Sequence, residues 1–163
     1  MFKKYFVFIL VALISSNISY SASSGSGDGN QIKIDNFKKA SSLIKQAKKY
    51  EKKGKIQKAK KKFNKALEYL LKANKEKPNQ PDTLNYLGFA SRKTGNFIVA
   101  ENYYLKGLSL DPNHVGINEY LGELYLETNR TDKAKERLKV LESCMCEEYN
   151  ILKSSIELGK SNY

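Results

Sequence analysis

The sequence contains no tryptophan, only one histidine and only two cysteines among its 163 residues. Its single imidazole is that of His114. We recognise no nucleophile–base–acid set, phosphate-binding glycine loop or pair of catalytic carboxylates, so the common catalytic motifs are missing from the sequence. Cys144 and Cys146 have neither a second cysteine pair nor a neighbouring histidine, which argues against a zinc site. We therefore expect a chain that is not an enzyme, with no catalytic residue, no metal and no cofactor.

One long apolar run is present, at residues 5–14, preceded by two lysines and followed by small residues. Ser19 and Ser21 are suitably placed for cleavage before Ala22. This pattern predicts a signal peptide over residues 1–21, because the run is shorter than the roughly 20 residues that a membrane span needs; the alternative is an uncleaved anchor. The Ser/Gly-rich residues 22–35 predict a flexible linker. The mature chain is then expected to be exported, periplasmic or secreted, without a transmembrane segment.

Positive charge is concentrated in the front half of the chain. Residues 36–77 hold 16 lysines and 3 glutamates (+13), whereas residues 78–163 sum to −2 and the whole chain to +12. One interpretation is a solvated helix face; the other is attraction of segment 38–77 to anionic lipid or polymer. Lysine predominates over arginine and no aromatic is interleaved on the polar face in a stacking arrangement, which argues against nucleic acid. The lysines that would form such an electrostatic surface are Lys48, Lys49, Lys52, Lys53, Lys60, Lys61 and Lys62.

The sequence repeats itself at an offset of 34 residues. The repeat aligns Leu87 with Leu121, Gly88 with Gly122 and Ala100 with Ala134. A weaker copy precedes these at an offset of 41, and its seven extra residues, within 68–80, correspond to about two helical turns. Each copy has two apolar-periodic stretches separated by a short turn, which predicts a helical hairpin. The turn residues, which tolerate a left-handed conformation, are Gly54, Gly95 and Asn129.

Small residues in these hairpins allow close packing of helices. Gly88, Ala100 and Gly107 would let two helices approach, and each hairpin would bury its apolar face by stacking on the next, so about three are needed for stability. A last amphipathic segment, 147–159, reads as a capping helix. Its apolar face would be formed by Tyr149, Leu152 and Ile156.

The pattern resembles the tetratricopeptide repeat, a 34-residue helix–turn–helix unit. The second copy carries the family's marks at Leu87-Gly88, Gly95, Phe97, Ala100, Tyr104 and Pro112. The third keeps Leu121-Gly122, Tyr125 and Ala134 without a closing proline, and the first keeps Tyr50, Gly54, Ala59, Phe63 and Ala66. The resemblance implies an all-α fold: an α-solenoid of about three hairpins, wound as a right-handed superhelix, plus a C-terminal capping helix. The expected ranges are 36–142 for the repeats (about 40–80, 81–114 and 115–142) and 143–163 for the Cys-containing cap.

In this family, ligand peptides usually lie in a concave groove lined by the first helix of each hairpin. The resemblance places the following residues there: Asp82, Asn85, Tyr86, Phe89, Arg92, Lys93, Gly116, Glu119, Tyr120, Glu123, Leu126 and Glu127. The mixed charges depart from the all-basic clamp that some members use on C-terminal carboxylates. Tyr86, Phe89 and Tyr120 lie outside the packing phase, so some of these rings should be exposed and could anchor a partner. The alternative is that they pack against a neighbouring hairpin or the cap.

Cys144 and Cys146 have three interpretations: a local disulfide, which requires a tight non-helical bend, free or intermolecular thiols, or a redox or metal role. Three functional hypotheses follow. The first is a non-enzymatic interaction scaffold in the cell envelope, binding a protein or peptide partner in the concave groove. The second is an envelope tether that binds an anionic surface through segment 38–77, and the third is a thiol–disulfide redox protein.

Overall fold

The structure, a computed structural model, describes residues 35–161, and these residues form seven α-helices and no strand. The helices are α1 (Asn36–Lys52), α2 (Ile56–Glu76), α3 (Pro81–Lys93), α4 (Phe97–Leu110), α5 (Val115–Glu127), α6 (Thr131–Leu141) and α7 (Glu147–Leu158). The predicted signal peptide, and the predicted linker up to residue 34, lie outside the described residues. The predicted all-α solenoid of three hairpins and a cap is confirmed.

Local sequence signals set the helix ends. The Asp35 side chain accepts a hydrogen bond from the Lys38 amide and caps α1, and Pro81 occupies the first turn of α3, where its missing N–H costs nothing. Each hairpin turn contains one residue in the left-handed region: Gly54 at φ +66°, Gly95 at φ +93° and Asn129 at φ +58°. The three turn residues therefore adopt the conformation predicted for them.

The helices are arranged in two layers. Each hairpin pairs consecutive helices, α1 with α2, α3 with α4 and α5 with α6, and successive hairpins pack through α2 on α3 and α4 on α5. Contacts also join α1 to α3 and α3 to α5, whereas α2, α4 and α6 do not contact one another. The first helix of each hairpin thus belongs to an inner layer, and the second to an outer layer.

Two glycines in the inner layer make room for large side chains. A Cβ on Gly88 would lie 2.6 Å from Tyr104 Cδ1, within the same hairpin, and a Cβ on Gly122 would lie 2.6 Å from Leu152 Cδ2 of α7. Both distances are too short for real contacts, so the predicted role of these glycines in close approach is confirmed. The neighbour differs between them, because Gly88 accommodates its own hairpin and Gly122 accommodates the cap.

The first hairpin is longer than the second because of the seven extra residues. Helix α2 has 21 residues and its counterpart α4 has 14, a difference of 7. The added turns include the buried residue Ala73 and end at Glu76, whose carboxylate accepts a hydrogen bond from the Asn36 side chain at 2.8 Å. The insertion therefore extends α2 along the beginning of α1.

Helix α7 closes the end of the stack as predicted. Leu152 is fully buried, and Tyr149 and Ile156 are partly buried against the core of the second and third hairpins. Within residues 35–161, no helix is long and apolar enough to cross a lipid bilayer.

Candidate functional site

The surface formed by α1, α3 and α5, called the inner face below, brings together side chains from all three hairpins. Lys48, Phe89 and Glu123 occupy equivalent positions on it, since 41 residues separate the first two and 34 separate the last two. The sequence analysis assigned groove positions to the second and third copies only. The same offset of 41, applied to Phe89 and Arg92, would have identified Lys48 and Glu51 in the first copy.

Lys48 is the clearest departure from the sequence-based expectation. It was predicted to belong to the exposed electrostatic surface, but its ammonium nitrogen lies 4.6 Å from the centroid of the Phe89 ring and 5.5 Å from that of Tyr120. It also donates a hydrogen bond to the Tyr120 hydroxyl at 3.2 Å. Burial lowers the pKa of Lys48 below its ordinary value of 10.5, and the negative charge of Glu119 offsets part of that effect. The assignment of Lys48 to the solvated basic patch is therefore wrong, because its long side chain covers the aromatic rings of the inner face.

The three aromatic residues predicted to line the groove differ in exposure. Phe89 is fully buried, with its ring centroid 5.8 Å from that of Phe63 and 4.7 Å from that of Tyr120. Tyr86 and Tyr120 are partly buried, and the Tyr86 ring lies 5.5 Å from that of Phe37. Packing against neighbouring hairpins is therefore correct for Phe89, whose ring is not open to a partner. Tyr86 and Tyr120 remain partly exposed.

Ion pairs join successive hairpins across the inner face. Arg92 on α3 donates to Glu127 on α5 at 3.4 Å, and Lys93 on α3 lies 2.7 Å from Glu51 on α1. Arg92 is almost completely buried, and its guanidinium carbon is 5.7 Å from the centroid of the Phe89 ring. Such a buried, charge-paired group costs desolvation energy that its partners must offset.

Two predicted groove carboxylates, Glu119 and Glu123, are buried rather than open. Glu123 accepts a hydrogen bond from the Ser155 hydroxyl of α7 at 2.5 Å. Burial, and next the negative charge of Glu119, raise the pKa of the Tyr120 hydroxyl well above its ordinary value. Leu126 is also buried. The third-hairpin part of the predicted groove is thus largely occupied by the protein's own contacts, including those of the cap.

The inner face is more open where α1 and α3 begin. Asp82 is exposed and lies 3.1 Å from Nε2 of His114, whose Nδ1 accepts a hydrogen bond from the Ile117 amide at the start of α5. His114 is therefore the N-cap residue of α5. Asn85 is buried beside Gly116. A cleft of about 480 Å³ opens between the beginning of α1, the end of α2 and the beginning of α3, with Asp82 among its walls.

The remaining predicted electrostatic residues stay near the surface. Lys49, Lys52 and Lys53 are exposed at the end of α1, and Lys60 and Lys61 are exposed on α2. Lys62 is partly buried. The electrostatic role of these lysines stays a prediction.

The two sulfurs of Cys144 and Cys146 are bonded to each other, with their Cα atoms 5.1 Å apart. The bridge lies in the turn between α6 and α7, where Met145 has φ +49° and an exposed side chain. The tight non-helical bend required for a local disulfide is therefore present. Cys146 is also the residue that immediately precedes α7.

Two layers of stacked antiparallel helical hairpins, with charged and aromatic side chains converging on the inner face, define an α-helical repeat protein. Sequence models of the tetratricopeptide repeat match residues 81–114 and 103–136. The first of these ranges begins at Pro81, the first residue of α3, and extends through α4. Residues 81–136 therefore carry tetratricopeptide repeats, which lie in the second and third hairpins.

Another family model describes the first hairpin. The MIT (microtubule interacting and transport) domain model matches residues 37–88, which span α1, α2 and the beginning of α3. This match covers the lysine-rich part of the chain, and the tetratricopeptide models begin only where that part ends. No curated protein matches the chain.

Solved structures share the helical fold at low sequence identity. The translocator chaperone SycD of Yersinia enterocolitica type III secretion has 17% identity and a TM-score of 0.50, with 73% of this chain and 88% of SycD covered. The first TPR of Spaghetti (RPAP3) bound to the HSP90 peptide SRMEEVD has 21% identity and a TM-score of 0.46, with 75% and 93% of the two chains covered. The likeness to SycD concerns the fold alone.

Proposed function

We propose that this chain is an exported, non-enzymatic scaffold in the cell envelope that holds a protein or peptide partner on its inner face. The observation that carries the proposal is the convergence of all three hairpins on that face, through Lys48, Phe89 and Tyr120. Ligand peptides of the tetratricopeptide family usually lie on the corresponding surface. A partner lying there would contact side chains that the protein has already ordered, so binding would lose little conformational entropy.

The contact residues in this proposal are the groove positions that keep exposed surface. Tyr86 and Tyr120 are partly exposed, and Asp82 lines the open cleft where α3 begins. The other groove positions lie underneath these side chains, because they are buried: Phe89, Arg92, Glu119 and Glu123. A partner would therefore follow the inner face from Tyr120 towards Asp82, away from the end closed by α7.

A crosslinking pull-down from the exported fraction tests the proposal. We expect wild type to recover a partner that Tyr86→Ala loses, while the matched control Tyr69→Ala keeps it. The control is suitable because both tyrosines are partly buried against the same core, but Tyr69 belongs to α2 in the outer layer. Recovery of the same proteins by all three forms would reject the inner face as the binding surface. Phe89→Ala is avoided because the ring belongs to the core.

A second candidate function is binding of the lysine patch to an anionic lipid or polymer surface. It is favoured by the exposure of Lys49, Lys52, Lys53, Lys60 and Lys61 on adjacent helices. Co-sedimentation with vesicles containing anionic lipid should then be lost at high salt, because screening removes the attraction, and should be reduced by Lys60→Gln with Lys61→Gln. Binding that resists salt or survives this double change would reject the candidate.

A further inference from the structure

The outer helix of the second hairpin exposes an apolar surface that the other two hairpins lack. Ile98 is 79% exposed, Val99 46% and Leu105 48%. Because 98 and 105 are seven residues apart, their side chains lie on one side of α4, with Val99 beside them. These three residues are called the α4 stripe.

The internal repeat provides a direct comparison for the α4 stripe. At an offset of 41, α2 has Gln57, Lys58 and Asn64 at the equivalent positions, and at an offset of 34, α6 has Asp132, Lys133 and Lys139. All six are polar and exposed. The fold itself therefore accepts polar residues at these positions, and packing within the hairpin does not explain the apolar residues of α4.

Charge distinguishes the same helix. Helix α4 contains one acidic and one basic residue, Glu101 and Lys106, whereas α2 contains seven lysines and two glutamates. The acidic residue is already paired, since Glu101 accepts two hydrogen bonds from Arg130 at 2.8 Å. The α4 stripe is thus the apolar part of a nearly neutral helix on a strongly basic chain.

We propose that the α4 stripe is the contact surface for a second copy of this chain. A two-fold axis parallel to α4 would bring each Ile98 against the other Ile98 and each Leu105 against the other Leu105, the self-complementary contact that such symmetry produces. The same axis would place α2 of one copy over α6 of the other, because the second hairpin lies between the first and the third. The two lysine-rich α2 helices are thereby kept apart, whereas an axis across α4 would stack them on each other.

The exposed area bears on the size of the contact. Phe97 and Leu110, 38% and 50% exposed, point to other sides of α4, since Phe97 is about 200° around the helix from Val99 and Leu110 about 140° from Leu105. A large aliphatic side chain carries about 120 Å² of apolar surface, so the α4 stripe exposes about 200 Å² on each copy. With a polar rim in the usual proportion, the total buried area is about 700 Å², in the range of weak, transient contacts. We therefore expect a weak, reversible dimer.

Salt distinguishes this dimer from binding to an acidic partner. Two copies, each with excess positive charge, repel one another, and screening reduces that repulsion. The dimer therefore strengthens as salt is added. This response is opposite to that of the lysine patch on an anionic surface, and variants of the inner face should leave it unchanged.

The proposal is tested by sedimentation velocity on the protein purified from cells that express the full chain. Protein concentration is varied from about 1 μM to about 500 μM, at salt concentrations of about 50 mM and 500 mM. We expect a monomer–dimer equilibrium that shifts towards dimer at the higher salt. Ile98→Gln with Leu105→Asn, the residues of the first hairpin at these positions, should weaken it at least tenfold without a change of net charge. Val99→Lys is a second variant. It should fold, because lysine occupies the equivalent position in both other hairpins.

The matched control is Ile56→Gln with Leu71→Asn, which removes two side chains of similar exposure from α2 and should leave the dimer intact. Far-UV circular dichroism checks that every variant stays folded. The proposal is overturned if wild type remains monomeric throughout, if the α4 variants dimerise like wild type, or if the control weakens the dimer equally. It is also overturned if wild type is a monomer and Ile98 binds it to lipid vesicles in a co-sedimentation assay.

Discussion

The ammonium group of Lys48 lies over the ring of Phe89, 4.6 Å from its centroid, and thereby joins the first hairpin to the second. The same nitrogen donates to the Tyr120 hydroxyl of the third hairpin. One side chain from the most basic helix pair therefore contacts both of the hairpins that follow. This lysine therefore links all three hairpins at the inner face.

Replacement of Lys48 should test that relationship directly. Lys48→Ala removes the cation–π contacts and the hydrogen bond to Tyr120, and it takes away positive charge near the buried Glu119. We expect a loss of about 2 kcal/mol in the free energy of unfolding, measured by urea denaturation. Lys49→Ala, at the exposed neighbouring position, should change it by less than about 0.5 kcal/mol. Equal effects of the two substitutions would show that Lys48 is an ordinary surface lysine.

The sequence predicted the hairpins because their determinants are local or repeat at fixed spacing. Gly88 and Gly122 mark close approach, and Gly54, Gly95 and Asn129 mark the turns, so both could be recognised from one chain by comparison of its own copies. The identity of the atoms that fill the space at Gly122 could not be recognised, because Leu152 comes from the cap, outside the repeat.

The candidate site was less predictable, for a physical reason. Composition assigns lysine to solvent, but Lys48 has a long apolar stem that can lie on aromatic rings while its ammonium group finds polar partners. Phe89 lies outside the packing phase of its own hairpin, yet Phe63 and Tyr120 from the two adjacent hairpins bury it. Both errors arise from contacts between hairpins, which a pattern within one hairpin does not contain.

Two tyrosines in this core should respond in opposite ways to loss of their hydroxyl. The hydroxyl of Tyr104 is buried without a hydrogen-bond partner among residues 35–161, whereas that of Tyr120 accepts from Lys48. An unsatisfied buried polar group costs about 1–3 kcal/mol. Tyr104→Phe should therefore maintain or raise the free energy of unfolding, as Phe63 at the equivalent position of the first hairpin suggests.

Tyr120→Phe is the matched comparison for that substitution. It removes the acceptor of the Lys48 ammonium and should lower the free energy of unfolding by about 1–2 kcal/mol. Chemical denaturation of the two variants beside wild type measures both effects. Destabilisation by Tyr104→Phe as large as that by Tyr120→Phe would mean that the Tyr104 hydroxyl has a partner that the structure does not show.

The pair of Glu101 on α4 and Arg130 at the start of α6 should give stability a defined pH dependence. Hydrogen bonds from Arg130, made at 2.8 Å to both carboxylate oxygens, lower the pKa of Glu101 below its ordinary value of 4.5. Because the pKa is lower in the folded protein, the contribution is complete above the unfolded value and is lost as the pH falls through the folded one. Glu101→Gln should cost about 1 kcal/mol near pH 7, and this cost should decline below about pH 4.5.

The control for this prediction is Glu136→Gln, an exposed carboxylate on α6 with a contact of 4.0 Å to Arg137. It should have little effect at any pH, since isolated surface pairs contribute little. Thermal unfolding of the three proteins between about pH 3 and pH 7 provides the measurement. A constant difference between wild type and Glu101→Gln across that range would contradict the proposed ionic contribution.

Reduction of the Cys144–Cys146 bridge should loosen the cap rather than unfold the protein. The closed loop spans only three residues, so its effect on the entropy of the unfolded chain is small, about 1.5 kcal/mol. The bridge nevertheless shapes the turn that leads directly into α7, whose Leu152 occupies the space above Gly122 and whose Ser155 donates to Glu123.

In Cys144→Ser with Cys146→Ser, amide hydrogen exchange should increase in residues 147–158 and stay unchanged in α1 to α4, because those helices have no contact with α7. Intact-mass measurement should show wild type about 2 Da lighter before reduction than after it, the mass of the two thiol hydrogens lost on forming one bridge. Faster exchange throughout the chain would instead mean that the bridge supports the whole stack.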